Sequence, residues 1–242
     1  MQQSLPGIFL IDKPVGPTSF KMVHLVKRAL QIKKVGHTGT LDPFASGLLV
    51  ICAGREATKI IPQLMEGEKE YAATLKLGVE TDTQDLTGTV IRENGLGSLC
   101  LAEINDCLRS FVGEQLQNPP HFSALKYNGK PLYYYARKGI KVEKGPRRIF
   151  IREIEMLAWE NDLLQIRVVC GKGTYIRALA ADIGHKLGCG AHLVALRRVR
   201  NGRFAVQNAL PGEALAYDRQ AACDLLLERM LPVEDVIAGC KK

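Results

Sequence analysis

The residues with the clearest chemical potential lie in the segment Gly36-His37-Thr38-Gly39-Thr40-Leu41-Asp42-Pro43. Its two glycines permit backbone angles that other residues avoid, or a close approach to a ligand. Pro43 restricts Asp42 to extended geometry, so the carboxylate is held on a stiff loop. Such a carboxylate suits a nucleophile or a general base. The composition also fits an ordinary glycine turn with a solvated aspartate, and the segment alone leaves both interpretations open.

A second glycine-rich segment, Gly171-Lys172-Gly173-Thr174-Tyr175-Ile176-Arg177, precedes a predicted helix. Backbone amides at a helix N-terminus attract phosphate. The spacing nevertheless fails the P-loop pattern, because Ile166 replaces its first glycine and Gly173 follows the lysine where Ser or Thr is required. We therefore reject nucleoside triphosphate binding. Arg177 is predicted in the first turn of the helix, where it can pair with a carboxylate across a cleft or only cover the surface.

Three other motifs give weaker signals. Tyr71, in Lys69-Glu70-Tyr71, lies in a predicted strand, where a tyrosine is usually in the core or half-buried. Asp82-Thr83-Gln84-Asp85 could bind magnesium, but two carboxylates rarely specify a metal, and a polar turn is the preferred interpretation. Cys189 and His192 have a C-x-x-H spacing without a second such pair, so no zinc site is predicted.

The hydrophobic pattern predicts the elements that must position these residues. Strands are predicted at residues 8–11, 47–53, 70–78, 88–92, 148–159, 163–170 and 193–204. Helices are predicted after the hydroxyl cap in Pro17-Thr18-Ser19, at residues 57–65, 101–111 and 225–237, and at 174–187 with Thr174 as its cap. Hairpins outnumber βαβ units. We predict an α+β fold with a mixed, mostly antiparallel sheet core flanked by helices.

Positive charge is concentrated in two places. The chain has 33 Lys and Arg against 25 Asp and Glu, a net charge of +8. The cationic residues concerned are Lys126, Lys130, Arg137, Lys138, Lys141, Lys144, Arg147 and Arg148, and then Arg197, Arg198, Arg200 and Arg203. This clustering fits a nucleic-acid partner, or only a solvated face. Residues 117–148 are also rich in Pro, Tyr and Gly, and they are too long for a plain connection, so they are functional or mobile.

The composition and the N-terminal pattern indicate the cellular compartment. The seven cysteines include no C-x-x-C pair, which is typical of reduced thiols in a reducing compartment. No apolar run is long enough to cross a membrane. The opening Met1-Gln2-Gln3-Ser4-Leu5-Pro6 lacks the pattern of a secretory signal. A cytoplasmic location is expected.

Several segments together resemble one family. They are Gly7-Ile8-Phe9-Leu10-Ile11-Asp12-Lys13-Pro14, the Asp42 segment with Ala45-Ser46-Gly47-Leu48-Leu49, Lys69-Glu70-Tyr71, Thr81 to Gly88, Gln117-Asn118-Pro119-Pro120, Ser123-Ala124-Leu125-Lys126, Tyr135-Ala136-Arg137, Gly173 to Arg177, and Gly188 to Leu193 with Leu196-Arg197-Arg198. In this order and spacing the chain resembles the bacterial TruB-type tRNA pseudouridine synthases, from about Gly7 to Arg200.

The resemblance implies an isomerase that converts the T-arm uridine of tRNA, position 55, to pseudouridine. Asp42 would attack the substrate, Arg177 would keep it ionised and oriented, and Tyr71 would stack on the flipped base and help to remove its C5 proton. Other RNA-contacting residues would be His37, Tyr175, Leu196, Lys126 and Lys130. No metal or organic cofactor is implied.

The resemblance also implies an organisation. Residues 1–242 would form a single catalytic domain with an inserted RNA-binding flap at about 117–148. The family usually carries a small C-terminal domain of the PUA type, and residues 210–242 are too few for one. The partner would be the tRNA T-arm stem-loop, without a membrane, and a monomer is expected. Three alternatives stay open: a non-catalytic RNA-binding or RNA-chaperone protein, a synthase acting on ribosomal or other RNA, and a small-molecule phosphotransfer enzyme.

Overall fold

The computed structural model describes residues 6–140 and 142–239. Lys141, Cys240 and most of the N-terminal segment assessed for a signal therefore lie outside the described residues. The chain forms two compact units. Unit 1 comprises Met1–Lys69 and Arg197–Lys242, and unit 2 comprises Glu70–Leu196.

The first part of unit 1 contains three strands and three helices. They are β1 (Gly7–Lys13), α1 (Ser19–Leu30), β2 (Val35–His37), β3 (Ser46–Ala53), α2 (Arg55–Lys59) and α3 (Ile61–Met65). Strand β1 pairs antiparallel with β3 along its whole length, and β2 pairs antiparallel with the C-terminal residues 51–53 of β3. The loop between β2 and β3, residues 38–45, carries Asp42 and is called the aspartate loop below.

Unit 2 contains both long strands and strands of only two residues. Its elements are β4 (Lys69–Leu77), β5 (Val79–Thr81), β6 (Val90–Glu93), α4 (Leu101–Arg109), β7 (Gly113–Gln117), β8 (Lys126–Tyr127), β9 (Lys130–Pro131), α5 (Leu132–Ala136), β10 (Arg147–Glu160), β11 (Leu163–Cys170), α6 (Ile176–Lys186) and the start of β12 (Ala191–Asn201). The main sheet has the order β4-β11-β10-β7. Its β10–β11 and β7–β10 pairs are antiparallel, as are the separate hairpins β5–β6 and β8–β9.

The chain returns to unit 1 within β12. The remaining elements are β13 (Phe204–Ala205), β14 (Leu210–Pro211), α7 (Arg219–Glu228), β15 (Leu231–Pro232) and α8 (Val233–Ala238), with short 3-10 helices at Val206–Asn208 and Gly212–Leu215. Strand β12 pairs parallel with β3, and β14 pairs parallel with β1, whereas β13 and β15 pair antiparallel. The predicted α+β fold with a mixed, mostly antiparallel sheet is confirmed.

Helix α1 packs unit 1 together. Thr18 caps it by accepting a hydrogen bond from the Lys21 backbone amide at 3.1 Å, as the sequence predicted. Its apolar face includes Val23, Leu25, Val26 and Leu30, which are buried against the β1–β3 face and helix α7. Because the first helical residue is Ser19, this packing fixes the position of a hydroxyl group beside the aspartate loop.

Three predicted elements need correction. Thr174 does not cap α6, because Tyr175 occupies the N-cap position and the Thr174 hydroxyl donates instead to the Gly171 carbonyl. The helix predicted at residues 57–65 is divided at Ile60, immediately before Ile61 and Pro62. The helix predicted at 225–237 is wrong: β15 interrupts it and pairs with β1, since Pro232 cannot continue a helix. Among the described residues, no helix has the length and apolarity needed to cross a membrane.

Candidate active site

The aspartate loop in unit 1 has buried flanks and a half-buried carboxylate. Leu41, Phe44 and Ala45 are buried, whereas Asp42 between them is partly accessible. The Ala45 amide donates to the Asp42 carbonyl at 3.1 Å, which closes a tight turn. The apolar neighbours therefore fix the loop to the core, while the carboxylate stays within reach of a substrate.

Helix α1 holds the loop on one side of Asp42. The Ser19 hydroxyl accepts a hydrogen bond from the Leu41 amide at 2.8 Å and donates to the Leu41 carbonyl at 3.0 Å. Both groups are buried, so losing them would leave polar backbone atoms away from water. One side chain thus fixes the residue immediately before the carboxylate.

Strand β1 and the turn after it hold the other side. The Gly16 amide donates to the Pro43 carbonyl at 2.8 Å, and Lys13 Nζ donates to the same oxygen at 3.4 Å. Lys13 is fully buried and also donates to the Pro14 and Pro17 carbonyls, each at 2.8 Å. The carbonyl of the residue after Asp42 is therefore fixed by hydrogen bonds, as is the residue before Asp42.

The electrostatics around the loop follow from burial. Burial lowers the pKa of Lys13 to about 8, the negative charge of Asp42 raises it in part, and Arg198 lowers it further. Burial, followed by the Arg198 charge, lowers the pKa of His37. His37 Nδ1 accepts a hydrogen bond from the Gly39 amide at 3.1 Å, which requires this nitrogen to be unprotonated. His37 is therefore a neutral imidazole at the end of β2.

Arg198, on β12, contacts the same loop from the sheet. Its side chain is almost fully buried, and it donates to the Gly39 and Leu48 carbonyls. Nearby on the same strand, Asn201 Nδ2 donates to the Thr38 hydroxyl at 2.8 Å. Three separate elements of unit 1 thus converge on the backbone that carries Asp42.

Unit 2 contains a second buried cluster, centred on Arg177. Arg177 Nη1 pairs with Asp85 Oδ2 at 3.2 Å and donates to the Thr83 carbonyl at 2.9 Å, while Nη2 donates to the Phe122 carbonyl at 2.6 Å. Both side chains of the ion pair are about 5% exposed. The Asp85 carboxylate also accepts from the Thr87 amide at 2.9 Å. A buried charge is costly unless it is paired or its hydrogen-bonding groups are satisfied, and here both conditions are met.

Asp85 is a buried, ion-paired residue that the sequence interpretation assigned only to a polar turn. The segment around it does form a turn, as preferred, yet its last carboxylate is the buried partner of Arg177, 92 residues away. Pairing of Arg177 with Asp42 stays a prediction. Across residues 6–140 and 142–239, no group of three or more His, Cys, Asp or Glu side chains could hold a metal ion.

The other predicted site residues of unit 2 have distinct settings. Tyr71 is buried on β4, and Leu196 is buried on β12. Tyr175 precedes α6, where its amide donates to Gln117 Oε1 at 2.8 Å and its carbonyl accepts from Gln117 Nε2 at 3.1 Å. This reciprocal pair fixes the start of α6 to the end of β7.

Lys126 and Lys130 lie in the exposed hairpin β8–β9 within residues 117–148, the predicted flap. Lys130 and Lys138 lie over the ring of Tyr134, at 4.4 Å and 4.6 Å from its centroid. Elsewhere in the flap, Lys144 lies over Tyr127 at 4.8 Å. Cations and aromatic faces are thus displayed together on this surface, a combination that suits stacking with bases and contact with phosphates.

Family models match most of the chain. The model described as "TruB family pseudouridylate synthase (N terminal domain)" matches residues 27–176, and "tRNA pseudouridylate synthase B C-terminal domain" matches residues 177–238. A protein of Desulfotalea psychrophila named "tRNA pseudouridine synthase B" is 56% identical over 97% of both chains. A protein of the same name from Bordetella pertussis is 49% identical over 95% of this chain and 94% of its own.

Solved structures share the fold. A chain in the "Crystal Structure of a Cbf5-Nop10-Gar1 Complex" superposes with a TM-score of 0.69 at 28% identity, covering 96% of this chain and 61% of that one. A chain in the "Structure of H/ACA RNP bound to a substrate RNA containing 2'-deoxyuridine" gives a TM-score of 0.67 at 27% identity, covering 96% and 60%. The present chain thus spans about three fifths of each of these solved chains.

Proposed function

Because this chain belongs to the TruB family of pseudouridylate synthases, we propose that it is a tRNA pseudouridine synthase that isomerises the T-arm uridine at position 55. The observation that carries the proposal is the aspartate loop. Its carboxylate is half-buried, while the residues on either side are fixed by Ser19, Gly16 and Lys13. Preorganisation of a reacting group in this way lowers an activation barrier.

The chemistry is an isomerisation and therefore balances without a co-substrate. The bond between uracil N1 and ribose C1′ breaks, a bond between C5 and C1′ forms, C5 loses its proton, and N1 carries one in the product. Asp42 supplies the carboxylate that attacks or deprotonates the substrate as the N1–C1′ bond breaks. Neither step requires an oxidant, a reductant or a metal, and no cofactor is proposed.

Arg177, Tyr71, Tyr175 and Leu196 are proposed to form the rest of the site. Arg177 supplies the cation that keeps Asp42 ionised, and its pairing with Asp85 supports this role because it holds the guanidinium in one orientation. Tyr71 stacks on the base and assists removal of the C5 proton. Tyr175, which is partly exposed at the N-cap of α6, and Leu196, which is buried within β12, line the base pocket and help to exclude water from it.

RNA binding is proposed to use His37 and the flap. The uridine must leave its stack to reach Asp42, at a cost of a few kcal/mol, and His37 contacts the RNA where it does so. Lys126 and Lys130 neutralise phosphates of the T-arm, and the flap tyrosines stack on exposed bases. We propose that residues 1–242 act as one catalytic domain, as a monomer in the cytoplasm.

The test uses tRNA labelled with tritium at C5 of its uracils. Wild-type protein is expected to release tritium from unmodified tRNA, and to release none when cytidine replaces uridine 55. Release that continues from the substituted tRNA would place the target elsewhere. Tight, salt-sensitive binding of tRNA without any tritium release would favour the RNA-chaperone alternative. Tritium release from a ribosomal RNA fragment alone would favour a synthase that acts on ribosomal RNA.

A further inference from the structure

We infer that Arg198 is a positioning residue for this reaction, one that holds the backbone before and after Asp42, at Gly39 and Leu48, at a fixed separation and so fixes the Asp42 carboxylate. The inference rests on the proposed function of Asp42. It concerns a side chain that the sequence pattern placed in a cationic cluster suited to a nucleic-acid partner, but that the structure buries.

The contacts of Arg198 bracket the loop. Its Nε donates to the Leu48 carbonyl at 2.7 Å, and its Nη2 donates to the Gly39 carbonyl at 3.1 Å. Gly39 lies before Asp42, and Leu48 lies after it in β3. A planar guanidinium has donors in a fixed fork, so two bonds from one side chain set the distance between the two carbonyls.

The backbone of β12 places the guanidinium there. Arg198 pairs with Gly47 in the parallel β3–β12 ladder. Gly47 has a φ of +104°, and a Cβ atom added to it would lie 2.3 Å from the Arg198 carbonyl oxygen. This close approach of the strands requires glycine, and it brings the Arg198 side chain beneath the loop.

Burial distinguishes Arg198 from an arginine that only covers the surface. Arg198 is 1% exposed, and a buried cation is costly unless its donors are satisfied. Arg197, its neighbour on the strand, differs from Arg198 in both exposure and partners. It remains partly accessible and pairs with both oxygens of Asp12, at 2.7 and 3.0 Å, as an ordinary ion pair does. Arg198 instead directs its charge at backbone carbonyls of the segment that carries Asp42.

The experiment compares Arg198→Gln and Arg198→Lys with Leu226→Ala. Leu226 is fully buried in the unit 1 core on α7, so its truncation lowers stability without touching the loop. Steady-state tritium release and tRNA affinity are measured well below each melting temperature. We expect kcat to fall about 30-fold in Arg198→Gln, with KM and tRNA Kd within about threefold, since a small misplacement can cost about 100-fold.

Arg198→Lys is expected to recover part of this loss, because lysine keeps the charge and can reach one carbonyl at a time. Leu226→Ala should keep kcat within about twofold of wild type, even if its melting temperature falls as much as that of Arg198→Gln. Equal kcat losses in Arg198→Gln and Leu226→Ala would reduce Arg198 to a stability residue. An unchanged kcat in Arg198→Gln would overturn the inference outright.

A second measurement separates failure of this inference from failure of the proposed function. Hydrogen exchange of the Leu41 and Ala45 amides should accelerate in Arg198→Gln and not in Leu226→Ala. If wild-type protein released no tritium from tRNA, the proposed function would fail, and this exchange would still decide whether Arg198 fixes the loop. Unchanged exchange in Arg198→Gln would contradict the inference whatever the activity.

Discussion

The aspartate loop and the flap are both irregular, polar segments, yet they are held in opposite ways. Backbone groups of the loop bond to buried side chains of three elements, Lys13, Ser19 and Arg198. The flap instead places Lys130, Lys138 and their tyrosine partner on an exposed surface, with contacts made mainly among its own side chains.

The two segments are held differently because they are proposed to have different tasks. A carboxylate that must meet one carbon atom needs a fixed backbone, whereas a surface that follows an RNA strand benefits from side chains that can adjust. Variants of the loop and its supports should therefore reduce kcat, and variants of the flap should weaken RNA binding. The following substitutions test that division.

Among the substitutions outside Asp42 itself, Asp85→Asn should have the largest effect. It removes the charge that balances buried Arg177, and breaking a buried pair costs about 3–5 kcal/mol of stability. We expect kcat for tritium release to fall at least about 100-fold, with a lower melting temperature. Since Arg177 also bonds the Phe122 carbonyl within the flap, exchange of the neighbouring flap amides should rise.

The control for this substitution is Asp82→Asn, on the same turn. Asp82 is exposed and accepts one hydrogen bond, from the Thr89 amide. Its replacement should leave kcat within about twofold of wild type. A comparable loss of activity in both variants would mean that the turn, and not the Arg177 pair, is what matters.

Ser19→Ala should reduce kcat about tenfold. It leaves the buried Leu41 amide and carbonyl without their hydroxyl partner, at a cost of about 1–3 kcal/mol. Thr18→Ala is the matched control, because it removes the neighbouring helix cap at a cost of about 1 kcal/mol without touching the loop. If the two variants lost activity in step with their stability alone, the loop would not need this support.

Lys13→Met tests the buried ammonium through pH. The pKa of Lys13 is lowered to about 8 in the folded protein, against an ordinary value of 10.5. Between these values the unfolded chain binds more protons than the folded chain, so the contribution of Lys13 to unfolding free energy rises with pH. Urea unfolding should show the wild type gaining over Lys13→Met by up to about 1.4 kcal/mol per pH unit in this window. A constant difference between pH 8 and 10.5 would refute the lowered pKa.

Lys130→Ala should have the smallest effect, and on a different quantity. Loss of one phosphate contact should weaken tRNA binding a few-fold and reduce the salt dependence of log Kd by about one unit, with kcat unchanged. Added tRNA should slow hydrogen exchange in the flap of the wild type. A fall in kcat at saturating tRNA, or exchange that tRNA leaves unchanged, would break the contrast between flap and loop.

The sequence predicted much of this arrangement because its signals are local. Apolar periodicity identified α1, and alternation identified β4, whose buried residues include Tyr71. Glycines and Pro43 marked the aspartate loop. The prediction of a helix at residues 225–237 was wrong because it overlooked a local signal, Pro232, which lies inside that range.

The supports of the site could not be predicted in the same way. Lys13, Ser19 and Arg198 act on backbone carbonyls and amides, which every residue possesses, so no side-chain pattern reveals the partner. Asp85 and Arg177 form a side-chain pair, but 92 residues separate them. Only the tertiary fold brings such groups into contact.

Asp42 is proposed to perform the chemistry and to contribute little to RNA binding. Asp42→Asn keeps the size of the side chain and removes its charge. Single-turnover tritium release from C5-labelled tRNA should fall at least about 1,000-fold, while tRNA Kd stays within about threefold of wild type. Release within about tenfold of wild type, at unchanged Kd, would contradict the account and place the catalytic group elsewhere.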